Sequence, residues 1–348
     1  MINLGLKKIG DGLRPFIVAE ISGNHNGDIN RAFSIIDAAY EAGADAVKLQ
    51  TYTADTMTLD SENEEFQVND KNNPWYGYSL HSLYDEAHTP WQWHKELFDY
   101  INDKGMIPFS SPFDESAVDF LESLNSSIYK VASFELTDIP LIEHIAKTGK
   151  PIIMSTGMAS LAEIEDAIQA VRRHSQAEIV LLKCTSTYPA KATNSNLNTI
   201  ENLKAWSKVQ VGLSDHTMGC GVAVAATALG VSVIEKHLTL SRADGGVDAS
   251  FSMEPNEFKT LVEEVTTAYD AMGSVVYGGT RDEEKSKMYR RSIYFKHDVE
   301  QGKVISRDDL AIVRPALGLA PKHINSVIGK IARANIKQGT ASSWELIE

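Results

Sequence analysis

Polar side chains that could bind an anionic substrate stand at the ends of eight short apolar segments of the chain. They are Glu20, Lys48 with Gln50, Ser110 with Ser111, Lys130 with Ser133 and Glu135, Ser155, Lys183 with Ser186 and Tyr188, Ser214 with His216, and Glu235 with His237, with Asp248 in the loop beyond. A single serine at such an end often satisfies only backbone groups, but the whole set is hard to explain that way. Lysines and serines that converge on one pocket suit a phosphate and a carboxylate.

The elements that must position these groups follow a regular order. The apolar segments are 16–22, 46–52, 106–112, 128–133, 151–157, 179–186, 209–216 and 231–239. Stretches of helical period, such as 31–43 and 161–174, lie between them. Eight strand–helix units in one run predict an α/β fold in the form of a closed (β/α)8 TIM barrel, with a doubly wound sheet as the alternative. In such a barrel the active residues stand at the C-terminal ends of the strands, where the polar groups are found.

Two histidines, His216 and His237, fall at the ends of neighbouring strands. Alternate strand residues share a face, which puts Lys48 beside Gln50 and Glu235 beside His237. The two imidazoles could bind a divalent cation whose shell is completed by ligand and water. The alternative is a pair of hydrogen-bonded histidines in the barrel. The chain has neither a His-x-x-x-His nor a Cys-x-x-Cys pattern that would support the prediction of a metal site.

A long connection follows the second strand, from about 53 to 88, and contains Asn73-Pro74-Trp75-Tyr76-Gly77-Tyr78. Loops of this length are usually functional or disordered, and the aromatic content argues against disorder. After Gly278-Gly279 the character of the sequence changes. We therefore predict a barrel domain over 1–280, a charged linker over 281–290 and a small C-terminal domain over 291–348 that packs on a barrel.

Composition excludes several other classes of protein. The net charge of −14 argues against a nucleic-acid surface. No apolar run approaches the roughly 20 residues of a membrane span. The N-terminal residues lack an apolar signal core, and two cysteines in 348 residues fit a reducing compartment. The expected location is therefore the cytoplasm.

Several spaced motifs together resemble the sialic acid synthase family over nearly the whole chain. They are Glu20-Ile21, Asn24-His25-Asn26-Gly27, Lys48-Leu49-Gln50-Thr51, Ser111-Pro112-Phe113-Asp114, Lys130-Val131-Ala132-Ser133, Ser155-Thr156-Gly157-Met158, Gly212-Leu213-Ser214-Asp215-His216 and Glu235-Lys236-His237. The segment that contains Arg314-Pro315 resembles the family's antifreeze-like (SAF) domain. The aromatic insert resembles the pseudaminic branch of the family, whereas the neuraminate branch has an asparagine where Ser186 stands.

The resemblance implies a transferase that joins phosphoenolpyruvate to a diacetamido-trideoxy hexose with C–O bond cleavage, helped by manganese or magnesium, or by cobalt. The phosphate would be held by Ser111, Lys130, Ser133, Ser155 and Ser214, and the carboxylate would face Lys48, with Ser186 nearby. Glu135 would act on water or the sugar, and Glu20 would lie near the reacting groups. The sugar would be contacted by Gln50, Tyr188 and Asp248. The metal would be bound by His216 and His237. From the aromatic insert we also expect Tyr76 and His81 to contact the sugar. The C-terminal domain would bring Arg314 to the site of a neighbouring subunit in a domain-swapped homodimer.

Three other functions are compatible with parts of the pattern. Lys183 could form an imine in a Schiff-base aldolase. A different nonulosonate synthase would act on a sugar of the N-acetylmannosamine type. The C-terminal domain alone would suggest a non-enzymatic module that binds ice or glycans, although the polar groups at all eight strand ends weigh against this.

Overall fold

The structure, a computed structural model, describes residues 1–71 and 73–348. The chain forms two compact units, Met1–Gly273 and Ser274–Glu348. The sequence prediction ended the first domain at 280, and part of the predicted linker forms a short 3-10 helix, Lys285–Tyr289. Within the described residues, none of the helices combines the length and the apolar character that crossing a bilayer requires.

The first unit is a closed barrel of eight parallel strands, which confirms the predicted TIM barrel over the doubly wound alternative. The strands are β3 (Phe16–Glu20), β4 (Ala46–Thr51), β5 (Ile107–Pro112), β6 (Tyr129–Val131), β7 (Ile152–Ser155), β8 (Ile179–Cys184), β9 (Gln210–Ser214) and β10 (Val233–His237). Each lies within a predicted segment, and β10 pairs with β3 to close the barrel. A short antiparallel hairpin of β1 (Ile2–Leu4) and β2 (Lys7–Ile9) precedes the barrel and was not predicted.

Helices pack around the barrel. They are α1 (Ile29–Ala42), α2 (Ala54–Met57), α3 (Leu80–Ala87), α4 (Trp91–Asp103), α5 (Glu115–Ser123), α6 (Ile139–Ala146), α7 (Leu161–His174), α8 (Thr199–Ser207), α9 (Gly221–Ala228) and α10 (Pro255–Met272). Local signals set their ends. Asp28 accepts the amide of Asn30 at the start of α1, and Gly43, at a φ of 87°, ends that helix in a left-handed conformation that glycine adopts without strain.

The inside of the barrel is apolar toward the N-terminal ends of the strands. Its core cluster includes Val18, Phe109, Ile153, Leu182 and Val233, all of them buried. The same cluster contains Leu4 and Ile9 of the N-terminal hairpin. This end of the barrel is filled mainly with hydrocarbon, and the charged inward-facing side chains lie toward the C-terminal ends of the strands.

The second unit has its own apolar core, which includes Ile293, Phe295, Leu310 and Ile336. It contains the antiparallel strands β11 (Ser292–Phe295) and β12 (Leu310–Val313) and one short helix, α11 (Ile324–Val327).

Candidate active site

The C-terminal ends of the barrel strands surround a cavity of about 330 Å³. Period-two alternation brings Glu20, Lys48, Lys130, Ser214 and Glu235 to its floor from five different strands. The long connection after β4 supplies part of the wall. The predicted location of the functional groups, at the C-terminal ends of the strands, agrees with this cavity.

Two lysines and two carboxylates alternate across the cavity floor. Lys48 forms an ion pair with Glu20, and its Nζ lies 3.7 Å from Oε2 of Glu235. Nζ of Lys130 lies 3.6 Å from Oε1 of the same Glu235. Gln50 donates from Nε2 to Oε1 of Glu20 at 2.8 Å. All four charged side chains are buried, so each charge depends on its neighbours for compensation.

The ionisation of these groups follows from their contacts. Burial alone would raise the pKa of Glu20, but the adjacent Lys48 ammonium holds it at about 2. Burial would likewise lower the pKa of Lys48, whereas Glu20 and Glu235 raise it above its usual value. Burial does lower the pKa of Lys130, although Glu235 opposes the shift. Lys130 is thus the less compensated of the two cations and the one that gains more from an incoming anion.

Two serine hydroxyl groups pack closely against Gly157. A Cβ added to Gly157 would lie 2.1 Å from Oγ of Ser186 and 2.7 Å from Oγ of Ser133, so only glycine allows this close packing. The Gly157 amide donates to Oγ of Ser133 at 3.2 Å. Oγ of Ser155 is buried without a hydrogen-bond partner among the described residues, which indicates a site for an external acceptor.

Glu135 occupies a different environment from Glu20. It lies in the 3-10 helix Phe134–Thr137 after β6 and lines the cavity. Burial raises its pKa to about 7, and its Oε2 forms no hydrogen bond with any described residue. A carboxylate that titrates near neutral pH and has a free oxygen suits a general base or acid.

His216 and His237 lie together at the ends of β9 and β10, with ring centroids 5.4 Å apart. Nδ1 of His216 lies 3.1 Å from the carbonyl oxygen of Thr185, which fixes that ring. Nδ1 of His237 is buried without a hydrogen-bond partner in the described chain, and burial lowers the pKa of His237 to about 4. A neutral imidazole with an unused nitrogen fits a metal ligand. Since no group of three or more His, Cys, Asp or Glu side chains in the described residues could hold an ion, two imidazoles fit only a shell that water and substrate complete.

An aromatic wall closes the cavity beside the histidines. The rings of Trp75, Tyr188 and Phe251 contact one another, with centroid distances of 4.9 to 6.4 Å, and Tyr188 lies 4.6 Å from the His216 ring. The indole Nε1 of Trp75 donates to the carbonyl oxygen of Val247 at 2.8 Å. The insert is therefore tied to the loop after β10, which carries Asp248 and Phe251.

Most of the predicted site residues meet in this cavity. Its lining includes Glu20, Lys48, Gln50, Lys130, Ser133, Glu135, Ser155, Tyr188, Ser214, His216, His237 and Asp248. Two predicted serines lie just behind the lining. Ser111 accepts from Nζ of Lys48 at 3.2 Å, and Oγ of Ser186 lies 3.7 Å from Sγ of Cys184.

Two predicted residues of the insert, Tyr76 and His81, are not part of the cavity lining. Tyr76 is 51% exposed, and His81 lies 2.9 Å from Asp55 through Nε2. The residues of the insert that do face the cavity include Trp75 and Tyr84. Arg314 is exposed in the second unit.

Sequence reasoning did not select several of the lining residues, among them Ser22, Tyr52, Tyr84, Cys184 and Phe251. The alternation of side chains along β8 could have selected Cys184. Ser22 and Phe251 follow strands in loops, where no period exists. Ser22 donates to the Asp248 carboxylate across the mouth of the barrel.

The proposed imine lysine is placed elsewhere. Lys183 lies between Leu182, which belongs to the barrel interior, and Cys184, which lines the cavity. Its Nζ donates to the carbonyl oxygen of Cys184 at 2.8 Å, and Lys183 is not part of the described lining. Alternation therefore directs its side chain away from the cavity, which weighs against a Schiff-base aldolase.

Comparison with known proteins covers both units. The NeuB family matches residues 35–277 and the SAF domain matches residues 290–348. The pseudaminic acid synthase of Helicobacter pylori is 41% identical over 96% of this chain and 98% of that protein. The N,N'-diacetyllegionaminic acid synthase of Legionella pneumophila is 37% identical over 99% of this chain and 98% of that protein. The crystal structure of N-acetylneuraminic acid synthetase from Leptospira borgpetersenii, in complex with citrate, matches with a TM-score of 0.72 and 32% identity over 83% of this chain and 95% of that one.

Proposed function

The chain belongs to the NeuB family and is an enzyme of the nonulosonic acid synthase class, and we propose that it is a pseudaminic acid synthase. It would condense phosphoenolpyruvate with 2,4-diacetamido-2,4,6-trideoxy-L-altrose and water to give pseudaminic acid and phosphate. The observation that supports an anionic substrate is the pair of buried lysines, Lys48 and Lys130, in one cavity with Ser155, whose hydroxyl has no hydrogen-bond partner among the described residues. The family membership excludes the third alternative, a non-enzymatic binding module.

Phosphoenolpyruvate is proposed to bind across the cavity floor. Its phosphate would lie beside Lys130 and accept hydrogen bonds from Ser133, Ser155 and Lys130. Its carboxylate would face Lys48. Such fixed donors need no reorganisation as the charge on the leaving phosphate changes, which is the main source of electrostatic catalysis.

The condensation forms one C–C bond and breaks one C–O bond. C3 of the enol attacks the aldehyde carbon of the open-chain sugar, the aldehyde oxygen takes up a proton, and C2 becomes electron-deficient. Glu135, ionised and with a free oxygen, would remove a proton from the water that adds to C2. The tetrahedral intermediate then collapses to the 2-keto acid and expels phosphate with its bridging oxygen. A divalent cation held by His216 and His237 would supply Lewis acidity toward the aldehyde oxygen.

The sugar is proposed to lie against the aromatic wall. Trp75, Tyr188 and Phe251 offer apolar surface for the methyl groups of a deoxysugar with acetamido substituents, while Gln50 and Asp248 offer polar contacts. The identity of 39% to 41% to three pseudaminic acid synthases, against 36% to 37% to two legionaminic acid synthases, favours the altrose substrate. The alternative is another nonulosonate synthase, because the legionaminate relatives are nearly as similar.

Phosphate release from phosphoenolpyruvate, measured with a panel of sugars and Mn²⁺, tests the proposal. We expect turnover with the diacetamido-trideoxy altrose and a kcat/KM at least about tenfold lower with N-acetylmannosamine or the legionaminate precursor. In [18O]water the label should appear in the sugar acid and not in phosphate, because the C–O bond breaks. Preference for another sugar would shift the assignment within the family. Label in phosphate, or an imine trapped by borohydride, would contradict the mechanism.

A further inference from the structure

A buried ion pair lies on the outer face of the barrel, directly behind the two histidines. Nζ of Lys236 in β10 lies 2.7 Å from Oδ2 of Asp215, which follows β9. The two side chains are 1% and 2% exposed. Oδ1 of Asp215 accepts from the amide of Thr217 at 2.9 Å and from its hydroxyl at 2.8 Å. Lys236 also donates to the carbonyl oxygen of Thr217, so both members of the pair are hydrogen-bonded, and neither lines the cavity.

The position of this pair in the sequence links it to the histidines. Asp215 directly precedes His216, and Lys236 directly precedes His237. Successive residues of a strand point to opposite faces, so each member of the pair shares its backbone with an imidazole that faces the cavity. The register of β9 and β10 pairs Ser214 with Glu235. The ion pair therefore spans β9 and β10 where the ladder between these two strands ends, while the backbone of His237 still pairs with Glu20 of β3.

Stability alone does not explain a pair of this kind. Removing two charges from water costs several kcal/mol per ion, and apolar residues of similar volume are often neutral or stabilising in the same place. A cross-strand clamp does, however, restrict the separation and tilt of the strand ends. Groups that orient metal-binding histidines from behind commonly change metal affinity or activity by about 10- to 100-fold when they are replaced.

We propose that Asp215 and Lys236 are positioning residues that set the separation of the His216 and His237 imidazoles and thereby the affinity for the divalent cation. The inference rests on the proposed function in one respect, the role of the two histidines as metal ligands. Neither Asp215 nor Lys236 would touch the substrate or the cation.

The test removes both charges at once, because a single change would leave a buried ion unpaired. In the full-length Asp215→Asn/Lys236→Met variant, asparagine can still accept from Thr217 and methionine fills the space of the lysine stem. Free Mn²⁺ is titrated by its electron paramagnetic resonance signal, and thermal unfolding is followed without metal. We expect a Kd for Mn²⁺ about 10- to 100-fold higher than wild type, near-wild-type unfolding of the metal-free protein, and recovery of kcat at saturating Mn²⁺.

A control is the partly buried ion pair at the opposite end of the barrel, where Arg14 binds Asp45 at 2.8 Å and Lys7 binds the same carboxylate. The Arg14→Met/Asp45→Asn variant should change unfolding but leave the Kd for Mn²⁺ unchanged. An unchanged Kd in the Asp215/Lys236 double variant, or its failure to fold, would assign the pair to stability and overturn the inference. If the wild type itself binds no Mn²⁺, both the metal site of the proposed function and this inference are wrong. If the wild type binds Mn²⁺ and the double variant has the same Kd, only the inference is wrong.

Discussion

Glu20 and Glu135 face the same cavity, and burial acts on both in the same direction. Their pKa values nevertheless diverge, to about 2 for Glu20 and about 7 for Glu135. Lys48 contacts Glu20, whereas one oxygen of Glu135 has no partner among the residues described. Divergent pKa values in one site separate a permanent counter-ion from a group that can exchange protons. Glu20 is thus suited to hold Lys48 and Gln50 in place, and Glu135 to act on water.

Replacement of Glu135 by glutamine should lower kcat by about 10²- to 10⁴-fold, because proton removal from water is lost while the shape of the site is kept. The pKa of about 7 gives a sign for the pH dependence. A base must be ionised, so kcat/KM of the wild type should fall as the pH drops below about 7. Initial rates of phosphate release between pH 5.5 and 9 measure both effects. Glu115→Gln, on a surface helix, serves as the control. If kcat/KM of the Glu135→Gln enzyme still falls below about pH 7 as in the wild type, the assignment of Glu135 is wrong.

Replacement of His237 by alanine should abolish turnover and leave the barrel folded, because one of two imidazole ligands is lost while no hydrogen bond to Nδ1 is broken within the described structure. Treatment of the wild type with a chelator should also abolish turnover. Added Mn²⁺ should restore the chelated wild type but not the His237→Ala variant. Phosphate release and circular dichroism provide the two measurements. Full-rate turnover by metal-free enzyme would rule out the metal role of both histidines.

At the scale of single residues, the sequence predicted the direction of a side chain wherever a strand makes successive side chains point to opposite faces. That rule places Lys48, Gln50, Ser214 and His237 on the inward face, where the structure has them. It says nothing about Ser22 or Phe251, because loop backbone has no fixed period. Those residues reach the cavity through contacts between distant segments, such as the hydrogen bond from Ser22 to Asp248.

The long insert is the element that shapes one side of the cavity. An isolated bridge between Gln67 and Ser79 closes its base, and the indole of Trp75 anchors its tip to Val247. The sequence predicted an ordered aromatic loop but not which of its side chains face inward. Adjacent Trp75 and Tyr76 differ in this respect, since Trp75 lines the cavity and Tyr76 is 51% exposed.

Trp75→Ala should raise the KM for the sugar by about tenfold and change that for phosphoenolpyruvate little, since the indole contributes to the wall away from the lysines. Tyr76→Ala and His81→Ala, also in the insert, provide matched controls. The sequence-based hypothesis predicts that these two variants also raise the sugar KM. The structure predicts only small effects, because neither residue lines the cavity. Steady-state kinetics with each substrate varied in turn distinguish these two predictions. Equal changes in both KM values for Trp75→Ala would exclude a sugar-specific role for the wall.

For the whole molecule, the order of elements was predictable because eight repeats of strand and helix admit few closed arrangements. The N-terminal hairpin escaped prediction because each of its strands has three residues, too few to show a period. It nonetheless contributes Leu4 and Ile9 to the apolar cluster inside the barrel. The SAF assignment of the C-terminal domain is confirmed by the match over 290–348.

Arg314 is predicted to complete the active site of a neighbouring subunit, as the resemblance to the family implies. It is exposed in the second unit beside Pro315, and its guanidinium could offer several fixed donors to the oxygens of a sugar. The test mixes two inactive variants, Arg314→Ala and Lys130→Ala, under conditions of subunit exchange. A heterodimer would hold one site with both lesions and one with neither, so about a quarter of the wild-type activity should return at full exchange. Exchange itself is verified by co-purification of an untagged variant with a tagged one. If exchange occurs and no activity returns, or if the active enzyme is monomeric at its working concentration, each site is built from a single chain.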